Sequence, residues 1–266
     1  MRKATHLASV ITVLVLLAAG TSFGCGSEGA GDTAGKSTGV GADENASDNA
    51  QSDISSTTLS HAIDETQTIA LPAPQLKGPV SIEETIEGRR SVRDYTDEPL
   101  SLEELGQLLW AMQGITSPHG GRAAPSAGGT YPLEVFVVSG AVTGVPPGAY
   151  RYGPASHDLT LVVGGDVRAS LQAASLNQQW VGAAPVDIVV AAIYERTMER
   201  YGERGIRYVH LEAGHAAQNL CLQAVGLGLG AVTVGAYHDE DVKALLKMTS
   251  EEEPLYLIPV GRPACN

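Results

Sequence analysis

Three arginines, Arg89, Arg90 and Arg93, fall within five positions of one another, with Ser91 between them, in a chain that holds 17 Lys+Arg against 30 Asp+Glu. A guanidinium fork donates parallel hydrogen bonds that match a phosphate dianion, and a neighbouring hydroxyl adds another donor. Taken alone, such a cluster also reads as a solvated charged turn. Three other stretches favour a ligand. "APSAGGTYPLE" (124–134) offers consecutive backbone N–H groups, with glycines that admit close approach. "VTVGAYHD" sets Gly235 at a strand end beside a helix start. "PVGRP" sets Arg262 after a glycine at another strand end.

Several patterns fail on their mechanics. "GDTAGKST" (31–38) has Ala30 where a phosphate-binding loop needs glycine, and no strand precedes it. "GLGLGAVTVG" (226–235) places its glycines after a helix and before a strand, the reverse of a dinucleotide fingerprint, so they end the helix and turn the chain. "HLEAGH" (210–215) spaces its histidines onto different helical faces, which suits core or interface residues rather than metal ligands. No metal site is expected. The net charge of −13 leaves no basic field to offset phosphates, so nucleic acid is excluded as a general partner.

The elements that must position the arginines read clearly. "SIEETIEGRR" is a helix with Ser81 as cap and Glu84 at capping-box spacing; "SLEELGQLLWAMQG" (101–114) repeats the device with Ser101, Glu104 and a closing Gly114. "PLEVFVVSG" (132–140) is a strand, and "GAYRYGPASHDLTLVVGG" (148–165) a hairpin turning near Gly153–His157. "DVRASLQAASLNQQWVG" reads as helix, and the apolar "APVDIVVAAIY" (184–194) as a central strand. "RYVHLEAGHAAQNLCLQAVGLG" (207–228) is a buried helix, with Cys221 in its core. "GAVTVGAY" reads as a strand, "DEDVKALLKM" as a helix capped by Asp239, and "LYLIPVGRP" as the last strand. Helices and strands mix around an antiparallel hairpin, which gives an α+β fold.

Ahead of this domain stand two other segments. Arg2 and Lys3 precede an apolar run at 7–20, too short for a comfortable membrane span, so residues 1–24 read as a signal peptide. Cys25, between Gly24 and Gly26, resembles a bacterial lipoprotein acylation site, although Phe23 is bulky and Ser22 stands where leucine is usual. Plain secretion is the competing reading. Residues 25–70 form a low-complexity tether and residues 71–266 the folded domain. The expected location is the cell envelope, with a lipid anchor in the membrane.

From about Leu71 to Pro263 the chain resembles the FMN-dependent nitroreductase family, and within it the SagB/ThcOx-type dehydrogenases. "RRSVRDY", "PSAGGTYPLE", "YGERGIRY", "LEAGHAAQNL", "VGAYHDEDV" and "IPVGRP" carry the resemblance, in the family's order. It implies a mostly antiparallel central sheet flanked by helices, in an entwined homodimer with FMN at the interface. It implies that Arg89, Ser91 and Arg93 hold FMN, that Arg90 contributes, and that Arg262 is a second phosphate ligand. Arg93 would lie toward the N1/C2 edge, where a cation stabilises reduced flavin. Backbone N–H groups around Gly235 and Ala236 would face N5. Pro125, Ser126, Ala127 and Gly128 would pack on the ring from the partner subunit.

The resemblance also implies hydride transfer from a donor to an oxidised acceptor. Peptide azoline oxidation is one alternative, and a non-catalytic flavin-binding envelope lipoprotein is another. Azoline-oxidising members carry Lys-Tyr before "GERG"; here the pair is Arg200 and Tyr201. Arginine stays protonated and cannot serve as a base, while Tyr201 still can move a proton.

Overall fold

The computed structural model describes residues 68–264. The expected signal peptide, Cys25, Cys265 and the tether up to residue 67 lie outside the described residues. The tether's last three residues, Thr68–Ala70, form strand β1. The described secondary structure therefore begins three residues ahead of Leu71.

Among the described residues, seven strands make one sheet in the order β1-β4-β3-β2-β5-β7-β6. The others are β2 (Leu133–Ser139), β3 (Gly148–Gly153), β4 (Asp158–Gly164), β5 (Val186–Ile193), β6 (Gly230–Ala231) and β7 (Glu252–Gly261). Each neighbouring pair is antiparallel. β5 is buried along nearly its whole length between β2 and β7, as its apolar run, broken only by Asp187, requires. Residues of alternate parity on β2 and β5 enter two separate cores. One core holds Val135, Val137, Ile188 and Val190 against helices α2 (Leu102–Gln113) and α6 (Arg204–Gly226). The other holds Phe136, Val138, Val189 and Ala191 against α3 (Arg168–Ala174), α4 (Gln179–Ala183) and α7 (Asp239–Leu245). Helices thus cover both sheet faces, the α+β arrangement expected.

Local chemistry explains the ends. α1 (Ile82–Gly88) and α2 both start in a complete capping box, with Ser81 and Ser101 accepting from the Glu84 and Glu104 amides and the glutamates reaching back. Each cap contributes about 1 kcal/mol. Gly114 ends α2 as expected. The β3–β4 turn ties to the N-terminal arm, because the His157 ring bonds the Tyr152 hydroxyl at 2.9 Å and the Pro72 carbonyl at 3.0 Å.

Four expectations change. The single helix expected over residues 166–182 is two, α3 and α4, broken where Leu176 and Asn177 take φ of 57° and 58°. Asp239 does not cap α7; it is the first helical residue and His238 holds the cap position. "GAVTVGAY" pairs regularly only through Gly230 and Ala231, since opposite it Pro259 has no N–H to give the ladder. A short helix, α5 (Glu195–Tyr201), precedes α6. The glycine run does turn the chain after α6, and it also permits contact: a Cβ on Gly230 would stand 2.6 Å from Val92 Cβ.

Candidate functional site

Arg89 and Ser91 follow α1 on a segment that runs beside β6, where Val92 N–H donates to the Ala231 carbonyl at 3.1 Å. This pairing sets both side chains at a cavity of about 180 Å³. Its other walls are the α6 face of Gly214, Ala217, Gln218 and Cys221, the segment Ala231–Thr233, and Tyr256. The donor set is cationic and polar, from Arg89, Ser91, Gln218 and Thr233. A Cβ at Gly214 would meet no atom within 4 Å, so this wall leaves room for a ligand. Cys221 is buried here, its thiol pushed up by desolvation, with Arg89 pulling the other way.

The other predicted cations do different things. Arg90 is exposed and donates to the Glu87 and Arg89 carbonyls, each at 2.8 Å, closing the end of α1. Arg93 lies over the Trp180 ring, 5.4 Å from its centroid. Gln178, at the start of the same helix α4, donates to the Ala236 carbonyl at 2.7 Å. Arg93 and Ala236 are thus both reached by the α4 segment. Gly235 beside Ala236 is exposed, and a Cβ there would meet nothing within 4 Å. Arg262 does not line the cavity; it pairs with Glu98 and, at 2.9 Å, with Glu104.

The small-residue loop forms a second cluster. Gly128, Gly129 and Tyr131 take φ of 63°, 67° and 46°, a left-handed path that costs a tyrosine strain and spares the glycines. Arg200 Nη1 donates to the Gly128 carbonyl at 3.1 Å, and a Cβ on Gly128 would stand 2.7 Å from the Tyr201 hydroxyl. Thr130 bonds Thr197 at 2.8 Å, and Arg196 reaches the Tyr131 carbonyl at 3.2 Å. From α6, Asn219 donates to the Ala123 carbonyl at 3.5 Å. The structure therefore gathers Gly128, Arg200 and Tyr201, and separately Arg89 and Ser91. None of Pro125–Gly128, Arg200 or Tyr201 lines the Arg89 cavity.

A larger cavity, about 520 Å³, lies between the N-terminal arm, α2 and α6, and contains none of the predicted site residues. The "HLEAGH" histidines are exposed rather than core; His210 bonds the Tyr194 hydroxyl at 2.6 Å. Sequence reasoning did not single out Gln218, Thr233 or Trp180. Gln218 sits inside the quoted "LEAGHAAQNL", where four-residue spacing from Gly214 places both on one helix face.

This fold and a polar, arginine-bearing cavity at the start of the sheet's last strands define an α+β oxidoreductase scaffold. Residues 86–262 match the nitroreductase family, and the chain belongs to it. A nitroreductase-like protein of Methanocaldococcus jannaschii is 45% identical over 69% of this chain and 91% of its own length. The FMN reductase [NAD(P)H] of Bacillus subtilis is 25% identical over 66% of this chain and 63% of its own. A nitroreductase crystal structure from Ralstonia eutropha superposes with a TM-score of 0.66 at 31% identity, covering 76% of this chain and 92% of that one. The protein is an oxidoreductase of a flavin-dependent family, which leaves the non-catalytic alternative without support.

Proposed function

We propose that the chain is an FMN-dependent oxidoreductase of the SagB-type branch, moving hydride between a donor and an oxidised acceptor. The observation that carries it is the cavity that joins Arg89 and Ser91 to Gly214, Gln218 and Thr233. At about 180 Å³ it is smaller than the roughly 300 Å³ at which pockets for whole small molecules begin. Its size and donors suit the phosphate and polyol end of FMN. The ring would then extend past Gly235 and Ala236, with a second subunit supplying Pro125–Gly128. Bound flavin supplies reversible hydride chemistry at N5.

The chain's own groups do the rest. Arg89 and Ser91 bind the phosphate. Arg93, 5.4 Å from the Trp180 ring centroid, would stand as a cation near the ring edge. Tyr201 is the proton-moving group, and Arg200 orients the small-residue loop through the Gly128 carbonyl. Arg262 takes part in phosphate binding only if Glu98 or Glu104 releases it. The Arg200 side chain, fixed as a cation, disfavours the azoline reading.

The test is a visible spectrum of the purified chain after FMN is added and the excess removed, then anaerobic addition of NADH or NADPH. Retained flavin that a nicotinamide bleaches is the expected result. A folded chain that retains no flavin overturns the assignment. Envelope location is proposed on the signal-like residues 1–24 and Cys25. Its check is acyl labelling in cells: wild type is expected to carry the label in the membrane fraction, and Cys25→Ser to lose it.

A further inference from the structure

Beneath the small-residue loop lies a buried polar cluster that neither the flavin cavity nor the proposed chemistry uses. Glu212, on α6, is 2% exposed, and its Oε1 has no partner among the described residues. Gln113, at the end of α2, is fully buried, and its Nε2 also lacks a partner. Arg122 stands with them, yet no ion pair joins it to Glu212. Its Nη1 donates instead to Gln113 Oε1 at 2.8 Å, and its guanidinium lies 4.7 Å from the Tyr131 ring centroid. Ser126 connects the cluster to the loop, since its hydroxyl oxygen accepts the Tyr131 N–H at 2.9 Å and its hydroxyl holds the Glu212 acid below the value that burial alone would give.

A buried carboxyl with one bare oxygen, beside a cation that is in no ion pair among the described residues, has two arrangements. Uncharged, Glu212 tolerates the observed one, with Arg122 stacked on Tyr131. Charged, it must recruit Arg122 or the bare Gln113 amide, because an unpaired buried carboxylate is far costlier than a neutral acid. Recruiting Arg122 removes the guanidinium from Tyr131, the residue that closes the left-handed loop.

We propose that Glu212 is a positioning residue for the 124–131 loop, and that its ionisation switches Arg122 between Tyr131 and the carboxylate and so sets the loop's position against the flavin. The flavin part rests on the function proposed above; the loop part does not. Desolvation raises Glu212 to about 7, with the Ser126 hydroxyl and the Arg122 charge pulling it back. Other charged groups act on Arg122 rather than on Glu212: Glu134 of β2 attracts it, and Arg196 of α5 repels it. The switch therefore falls in a range that cells and enzymes use.

The test is amide hydrogen exchange of residues 124–131 between pH 5.5 and 9, corrected for intrinsic rates, in wild type, Glu212→Gln and Ser126→Ala. FMN affinity is measured on the same samples. Wild type is expected to show a change of about tenfold in loop protection, with its midpoint near 7, and a matching change in FMN affinity. Glu212→Gln is expected to be flat across the range and to match wild type at low pH. Ser126→Ala, which keeps the carboxyl, is expected to move the midpoint upward. A flat wild-type profile, or the same inflection in Glu212→Gln, overturns the proposal. An inflection in loop protection without FMN binding leaves the switch standing and removes the cofactor reading instead.

Discussion

Replacing Asp187 makes this domain more stable, and the gain grows with pH. Asp187 sits in β5 at 0% exposure, and neither carboxyl oxygen has a partner among the described residues. Arg168 is the nearest attracting charge, but it donates to Asp166 at 2.6 Å and to the Ala184 carbonyl at 3.1 Å instead. Burial pushes the acid well above the usual carboxylate range, against a smaller pull from Arg168. The folded state thus holds the proton more tightly than the unfolded one. Its stabilising effect is complete below the unfolded value near 4, and it is lost as pH rises toward the folded value. The slope across that window is about 1.4 kcal/mol per pH unit.

Asp187→Asn keeps the shape and removes the charge, so its unfolding free energy is expected to lack this slope. Asp187→Val, a β-branched residue in a central strand, also removes the bare oxygens and is expected to add about 1–3 kcal/mol more. Urea unfolding at pH 5, 7 and 9 reads both. A wild type more stable than Asp187→Asn at pH 9 would mean that the carboxylate is ionised and paired with Arg168 after all.

Arg89→Ala is expected to weaken FMN binding by about 10- to 100-fold, the worth of a charge-assisted hydrogen bond to phosphate. Arg262→Ala is expected to act differently. Its guanidinium bridges Glu98 and Glu104, so the loss appears in stability, with FMN affinity changed by no more than a few fold. Fluorescence titration of FMN against both variants separates them. Equal losses would place Arg262 on the phosphate in the bound state, as the sequence alone suggested. An unchanged affinity in Arg89→Ala would remove the cavity from the cofactor site.

The contrast between these two arginines shows what a sequence can and cannot carry. Residue types and the order of the family's motifs singled out Arg89 and Ser91, and the fold sets both at one cavity. Arg262 was assigned by the same reasoning, but its partners Glu98 and Glu104 come from more than 150 positions away, and only the fold brings them together. The capping boxes, the hairpin and the central strand were legible because each is written in local periodicity. The break at Leu176 and Asn177 was not, since neither residue is a glycine or proline and both are exposed, so no apolar period marks the bend. Glu212 lies inside "HLEAGH", whose histidines were set aside as metal ligands, and its burial beside Arg122 could not be read from spacing.

The order of strands bears on how the chain is made. β5, the most buried strand, takes one partner from β2 and the other from β7, which ends at Gly261, and among the described residues β7 is the only strand beside β6. A growing chain therefore has its central strand long before that strand's second neighbour. Until β7 emerges, β5 keeps one open edge and the Ala231 segment that lines the Arg89 cavity has no sheet to lie against. Long-range pairing of this kind closes late and delays the native sheet until β7 has emerged. The Arg89 cavity is accordingly complete only once β7 has paired with both β5 and β6.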